Sequence, residues 1–104
     1  MTVTKTPALT EKQWQEQVLR LAGLHGFHAY HTHDSRRSQP GFPDLVLVKG
    51  GRLIFAELKT ETGKTSLAQD VWLEALDETP AEVYLWRPSD LEMVQRVLAD
   101  RAVA

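Results

Sequence analysis

Apolar and polar positions recur along this chain with two different periods. Trp14, Val18, Leu21, Ala22 and His25 follow one another at helical spacing. Thr10-Glu11-Lys12-Gln13 precedes them as a capping box, with Thr10 as N-cap and Gln13 reaching back. The pattern predicts a helix over about 10–24, ending at Gly26. The period then changes to two. Phe27, Ala29 and His31 fall on one side and His28 and Tyr30 on the other, which predicts a strand over 27–33. Strands are also predicted over 44–48 and 52–60, joined by the turn signal Gly50-Gly51. Ser66 and Gln69 form a second capping box, opening a helix over 67–77. A short strand over 82–86 follows. Pro88-Ser89 then leads into a last helix, with Ser89 and Glu92 as its capping pair and Leu91, Val94, Val97 and Leu98 as its apolar stripe. Residues 1–9 read as a flexible arm and 10–104 as a single domain. The order is αβββαβα, an α/β sandwich around a mixed sheet flanked by helices. Trp14, Trp72 and Trp86 are read as core.

Composition narrows the class. The 104 residues are 42% hydrophobic and 25% charged, the balance of a globular chain rather than a disordered one. No apolar run approaches the ~20 residues of a membrane helix, and residues 1–10 lack the apolar core of a secretory signal. These features lead to the expectation of a cytoplasmic protein without membrane contact. With no cysteine, disulfide scaffolds, thiolate metal sites and cysteine nucleophiles are excluded. The net charge of −2 conceals an asymmetry: residues 1–24 carry +1, residues 25–64 carry +2 and residues 65–104 carry −5. A polyanion is tolerated by the middle and repelled by the last third. Asp70, Glu74, Asp77 and Glu78 read as the solvated face of a helix.

The hairpin carries the chemistry. With Gly50-Gly51 as a two-residue turn, Lys49 pairs with Arg52, Val48 with Leu53, Val46 with Phe55 and Asp44 with Glu57. Side chains alternate, so the last three pairs share one side, where a covering helix is expected, and Lys59 projects to it as well. Opposed acids with Cβ atoms about 5 Å apart are destabilising unless something lies between them. A divalent cation with hard oxygen ligands would explain them. A second explanation stays open on register alone: the strands fray before Asp44, both acids are solvated, and Lys59 pairs with one of them.

Gly41-Phe42-Pro43-Asp44-Leu45-Val46 followed by Phe55-Ala56-Glu57-Leu58-Lys59 resembles the signature of PD-(D/E)XK nucleases. The continuation Thr60-Glu61-Thr62-Gly63-Lys64, with Ser66 and Gln69, is similar to the VRR-Nuc family of virus-type replication-repair nucleases in its small stand-alone form. The likeness spans roughly residues 11–88. It implies a metal-dependent endonuclease that uses Mg²⁺ or Mn²⁺ and leaves a 5′-phosphate and a 3′-hydroxyl. It further implies that Asp44 and Glu57 bind metal, with the Leu58 backbone carbonyl as a third ligand and Lys59 positioning water or stabilising the transition state. Gln69 matches a glutamine at the start of the next helix, a role compatible with capping. Glu11 matches an acid of the first helix. The helical wheel agrees, because Glu11 lies on the stripe of Val18 whereas Glu16 points about 200° away from Trp14.

Ser35-Arg36-Arg37-Ser38-Gln39 offers guanidinium and hydroxyl donors suited to phosphate, with Lys64 and Lys49 as further basic candidates. The bland alternative is a solvated basic loop. His31 and His33 share a face and offer ligands for a metal or contacts to the scissile phosphate; ordinary strand packing explains them equally. By analogy, the resemblance also implies a homodimer acting on branched DNA such as a Holliday junction, with replication or repair proteins as partners. Two other readings remain at this stage. One is a catalytically silent nuclease-fold module that binds DNA. The other is an interaction module docking through its acidic last third.

Overall fold

Both capping boxes form. In the computed structural model, which describes residues 8–32 and 39–100, Thr10 Oγ1 accepts from the Gln13 amide and Gln13 Oε1 accepts from Thr10 N–H. Helix α1, Glu11–Leu24, starts from this cap. Ser66 and Gln69 repeat the arrangement at helix α2, Leu67–Asp77. Helix α3, Leu91–Ala99, completes the set. Its entry differs from expectation. A 3-10 turn at Pro88–Asp90 precedes it, and the Asp90 carboxylate accepts from Arg87 N–H in place of a Ser89–Glu92 cap. Proline at the start of the turn fixes φ where no amide is needed.

Four strands form one sheet in the order β1 (His28–His31), β2 (Leu45–Lys49), β3 (Arg52–Leu58) and β4 (Glu82–Trp86). The first three are antiparallel, and α2 carries the chain across to β4, parallel to β3. The hairpin register is the one read from the sequence, with Lys49 opposite Arg52 and Val46 opposite Phe55. Gly50 and Gly51 have φ of 52° and 83°, the pair of positive values that a two-residue turn matched to strand twist requires. Strand β1 is shorter than the alternation suggested. Phe27 leaves the ladder, buried below the Lys49 and Arg52 cations.

The two sides of the sheet are unequal. Leu45, Leu47, Ile54, Ala56, Leu58 and Trp86 form the buried side, packed with Trp14, Val18 and Ala22 of α1 and Val94 and Leu98 of α3. Removing this much apolar surface from water is the main driving force of the fold. The opposite side, carrying Val46, Val48, Leu53 and Phe55, is covered only in part. Phe42 stacks edge-on between Phe55 and Trp72 of α2, at 5.9 and 5.1 Å, while Val48 and Leu53 remain exposed. Trp72 is accordingly a half-buried bracket and not a core residue. Helix α2 has no fully buried residue.

Arg52 fastens the far end. Its guanidinium grips Glu82 through both carboxylate oxygens at 2.7 and 2.8 Å and donates to the carbonyls of Val97 and Asp100 at the end of α3. The Glu82 carboxyl is held below its ordinary range, mainly by this hydrogen bond. Tyr84 O–H donates to the same carboxylate. Burial and that acceptor push its phenol up to about 12.

Candidate metal centre

Pair geometry in the hairpin alternates along β2 and β3. In a two-residue hairpin the turn-flanking pair exchanges hydrogen bonds, so Leu47–Ile54 and Leu45–Ala56 do likewise and Val46–Phe55 does not. One step past the ladder, Asp44 and Glu57 fall in the non-hydrogen-bonded class, where facing side chains come closest. The next step sets Pro43 opposite Leu58. Proline has no N–H, so β2 offers the Leu58 carbonyl no donor there. The Leu58 N–H donates instead to Asp44 Oδ2 at 2.8 Å. This bond holds the Asp44 carboxylate beside Glu57. A strand residue projects its N–H and C=O to the same side, so the Leu58 carbonyl faces the Asp44 side as well.

The third acid comes from α1. Trp86 O accepts two hydrogen bonds, from the Trp14 indole at 3.0 Å and from Lys59 N–H at 3.1 Å. One carbonyl thus ties the first turn of α1 to the end of β3. Glu11, three residues before Trp14, is brought to the same place. Glu11, Asp44 and Glu57 each bring a carboxylate oxygen within 4.8 Å of the other two. Among the described residues this is the convergent group of metal-ligating side chains; His31, half-buried at the end of β1, is not part of it.

Glu57 is the unusual member. It is fully buried. Its Oε1 accepts from Gln69 Nε2 at 3.4 Å, and Oε2 is buried with no hydrogen-bond partner. A buried unsatisfied carboxylate oxygen is costly in a folded protein. The cost appears as a pKa pushed up to about 9, first by burial and next by the Asp44 carboxylate, with Lys59 pulling the other way. In the metal-free protein the facing Asp44 and Glu57 carboxyls thus favour holding a proton between them. A divalent cation would replace that proton and satisfy the orphaned oxygen. Three clustered carboxylates suit a hard ion such as Mg²⁺ or Mn²⁺.

Gln69 caps α2 and at the same time contacts Glu57. Its Oε1 closes the α2 cap by accepting from Ser66 N–H, which leaves Nε2 to reach Glu57. Gly41 permits the approach. It has φ +89°, and a Cβ there would lie 2.4 Å from the Ala68 carbonyl and 2.7 Å from Gln69 N. The loop before Asp44 therefore lies directly against the first turn of α2. The place of Gly41 in the Gly41-Phe42-Pro43-Asp44 motif thus has a steric reason.

The proposed DNA contacts divide differently. His33, Ser35, Arg36, Arg37 and Ser38 lie outside the described residues. Lys64 is exposed on the loop between β3 and α2. Lys49 sits beside the hairpin turn, donating to the His25 carbonyl and covering the Phe27 ring, so its role there is to pack the turn. A further basic residue near the site, Arg87, belongs to no sequence motif. Arg87 donates to three carbonyls of the loop that follows Lys59. Backbone carbonyls leave no trace in side-chain patterns, so nothing in the sequence announces it.

Sheet order, crossover helix and clustered acids together define an α/β domain with a candidate metal site at one end of its sheet. A model of the VRR-NUC domain matches residues 2–90, and the chain belongs to that family. A solved structure described as "VRR_NUC domain protein" superposes with a TM-score of 0.69 at 19% identity, over 90% of this chain and 93% of the other. At that identity the likeness shows a shared fold. No curated protein sequence matches the chain.

Proposed function

We propose that this protein is a divalent-metal-dependent DNA endonuclease that hydrolyses phosphodiester bonds. The observation carrying this reading is the meeting of Glu11, Asp44 and Glu57 within 4.8 Å around a buried, unpartnered carboxylate oxygen. Asp44 and Glu57, with the Leu58 carbonyl, would hold Mg²⁺ or Mn²⁺, and Glu11 would join directly or through water. A bound ion would supply Lewis acidity to the phosphate and would lower the pKa of a water nucleophile. Asp44 is kept in place by Leu58 N–H and Glu57 by Gln69 Nε2, so neither must be ordered during reaction. Lys59 brings positive charge to the site as the phosphate gains negative charge. Its electrostatic hold on Glu57 supports that placement. Arg36, Arg37, Ser35, Ser38, His31, His33 and Lys64 are the proposed contacts to the DNA backbone.

Branched DNA is the proposed substrate and a homodimer the proposed working form, with two sites related by a two-fold axis making paired cuts. Replication or repair proteins are the proposed partners and the cytoplasm the proposed compartment. No helix among the described residues is long and apolar enough to cross a membrane. The test is cleavage of linear, flapped and four-way DNA in Mg²⁺, Mn²⁺ or EDTA, with the oligomeric state measured by sedimentation. Metal-dependent cutting that prefers a branch point is expected. Folded protein that cuts none of these substrates in either metal would overturn the enzymatic reading and favour a silent DNA-binding module. A monomer at working concentration would overturn the dimer.

A further inference from the structure

Lys59 is the first residue beyond β3, and its amide is fixed to Trp86 O. Beyond it the chain leaves the sheet and runs without regular structure to the Ser66 cap of α2. Irregular segments on a surface are ordinarily the least ordered parts of a domain. This one is drawn together from a single point. Arg87, one residue past β4, donates through Nη1 to Thr60 O at 2.6 Å, Gly63 O at 2.6 Å and Glu61 O at 3.3 Å. Three carbonyl dipoles thus present their negative ends to one cation. Without that cation the three oxygens would repel one another across the same space. Two more bonds close the structure: Thr60 Oγ1 accepts from Gly63 N–H at 3.0 Å, and Glu61 Oε1 accepts from Ser89 N–H.

The loop so formed lies against the Lys59 side chain. A Cβ on Gly63 would stand 3.6 Å from Lys59 Cδ. The same loop delivers Ser66, whose cap orients Gln69 toward Glu57. We propose that Arg87 is a positioning residue of the site: by gathering the carbonyls of residues 60, 61 and 63 it folds a wall that confines the Lys59 side chain beside Glu57. The inference rests on the hydrolytic reading for its consequence in catalysis, and on geometry alone for its consequence in structure.

The two are tested separately. In metal-free protein, acetylation of lysine amines by a limiting acylating reagent is followed residue by residue by mass spectrometry, with exposed Lys64 as the internal reference. Wild-type Lys59 is expected to react several-fold more slowly than Lys64. In Arg87→Ala it is expected to approach the Lys64 rate, with faster amide exchange over residues 60–66, and Arg87→Lys is expected to restore part of the protection. Should Arg87→Ala not fold, Gly63→Ala serves instead. Its Cβ would meet Thr60 Oγ1 at 2.9 Å and displace the carbonyl that Arg87 holds, so faster labelling of Lys59 is expected there as well. In cleavage, Arg87→Ala is expected to lower kcat on the order of 10- to 100-fold, as a misplaced group does, with KM for DNA little changed. A folded variant whose Lys59 labels at the wild-type rate overturns the proposal. Wild-type protein that cuts no DNA overturns the hydrolytic reading, and the labelling result then decides the positioning role by itself.

Discussion

Gln69 holds Glu57 while capping its own helix: Oε1 accepts from Ser66 N–H at 2.8 Å and Nε2 donates to Glu57 Oε1 at 3.4 Å. One amide thus joins helix initiation to the candidate metal centre. The two ends of the amide separate the two roles. Gln69→Glu keeps the acceptor for Ser66 and replaces the donor with a fourth carboxylate. A glutamate closes the capping box equally well, but it sets an acceptor against the buried Glu57 oxygen, so the metal-free variant is expected to lose about 1–3 kcal/mol and to cleave at least tenfold more slowly. Gln69→Ala is expected to lose cleavage as well and about 1 kcal/mol of stability with the cap. Urea denaturation beside a cleavage assay checks both. Full cleavage by Gln69→Glu would show that the Nε2 contact is incidental.

The raised pKa of Glu57 sets a pH dependence for the metal-free protein. In the unfolded chain the carboxyl titrates near its ordinary 4.5, whereas the folded value is about 9, so the folded state binds more protons between those limits. Stability in EDTA is therefore expected to fall as pH rises through that window, and Glu57→Gln to remove most of the slope. A divalent cation selects the ionised form, so added Mg²⁺ is expected to stabilise more at high pH than at low. Melting temperatures at acid, neutral and alkaline pH test the sign. A Glu57→Gln variant less stable than wild type at pH 8 in EDTA would assign Glu57 a structural role.

Gly41 is expected to tolerate no side chain. Its positive φ and the 2.4 Å approach of the Ala68 backbone act together. Gly41→Ala is expected to cost about 2–4 kcal/mol, the sum of a left-handed alanine and a backbone displacement. Denaturant unfolding measures it. A loss below 1 kcal/mol would mean that α2 shifts freely against the loop before Asp44.

Arg52 supplies the contrasting case. Arg52→Ala would strand the Glu82 carboxylate and uncap the Val97 and Asp100 carbonyls at the opposite end of the domain from the acids. The pair is partly exposed, so the expected loss is about 2 kcal/mol, below that of a fully buried ion pair. Cleavage by the folded fraction at 25 °C is expected to stay near wild type. A selective loss of cleavage with unchanged stability would contradict this purely structural assignment.

Legibility in the sequence follows range. Gly50-Gly51 fixes a turn type, the turn fixes a register, and the register sets Asp44 opposite Glu57, so local chemistry reaches the site through a short chain of inference. The wheel of α1 placed Glu11 correctly because Trp14 and Val18 define a strongly buried stripe. Alternation did not say which sheet face carries the main core, since both are apolar; α1 and α3 took the face of Leu45, Leu47 and Ile54. Trp72 is half-buried for that reason, being on the helix over the thinner side. The Ser89–Glu92 pair fitted a cap by spacing, but Pro88 opens a 3-10 turn that moves the helix start to Leu91. Contacts to backbone, such as Leu58 N–H on Asp44 and Arg87 on three carbonyls, have no side-chain signature and were invisible.

The central claim is that Asp44 and Glu57 hold the metal that cleaves DNA. Single-turnover cleavage of the preferred substrate in Mn²⁺ by wild type, Asp44→Asn and Glu57→Gln tests it most directly, with melting curves confirming that each variant is folded. Losing a group needed for transition-state charge stabilisation costs on the order of 10³-fold or more. Both variants are therefore expected to fall by at least about that factor while remaining folded, and wild type to stop in EDTA. Cleavage by either variant within tenfold of wild type, or cutting that persists in EDTA, would contradict the account.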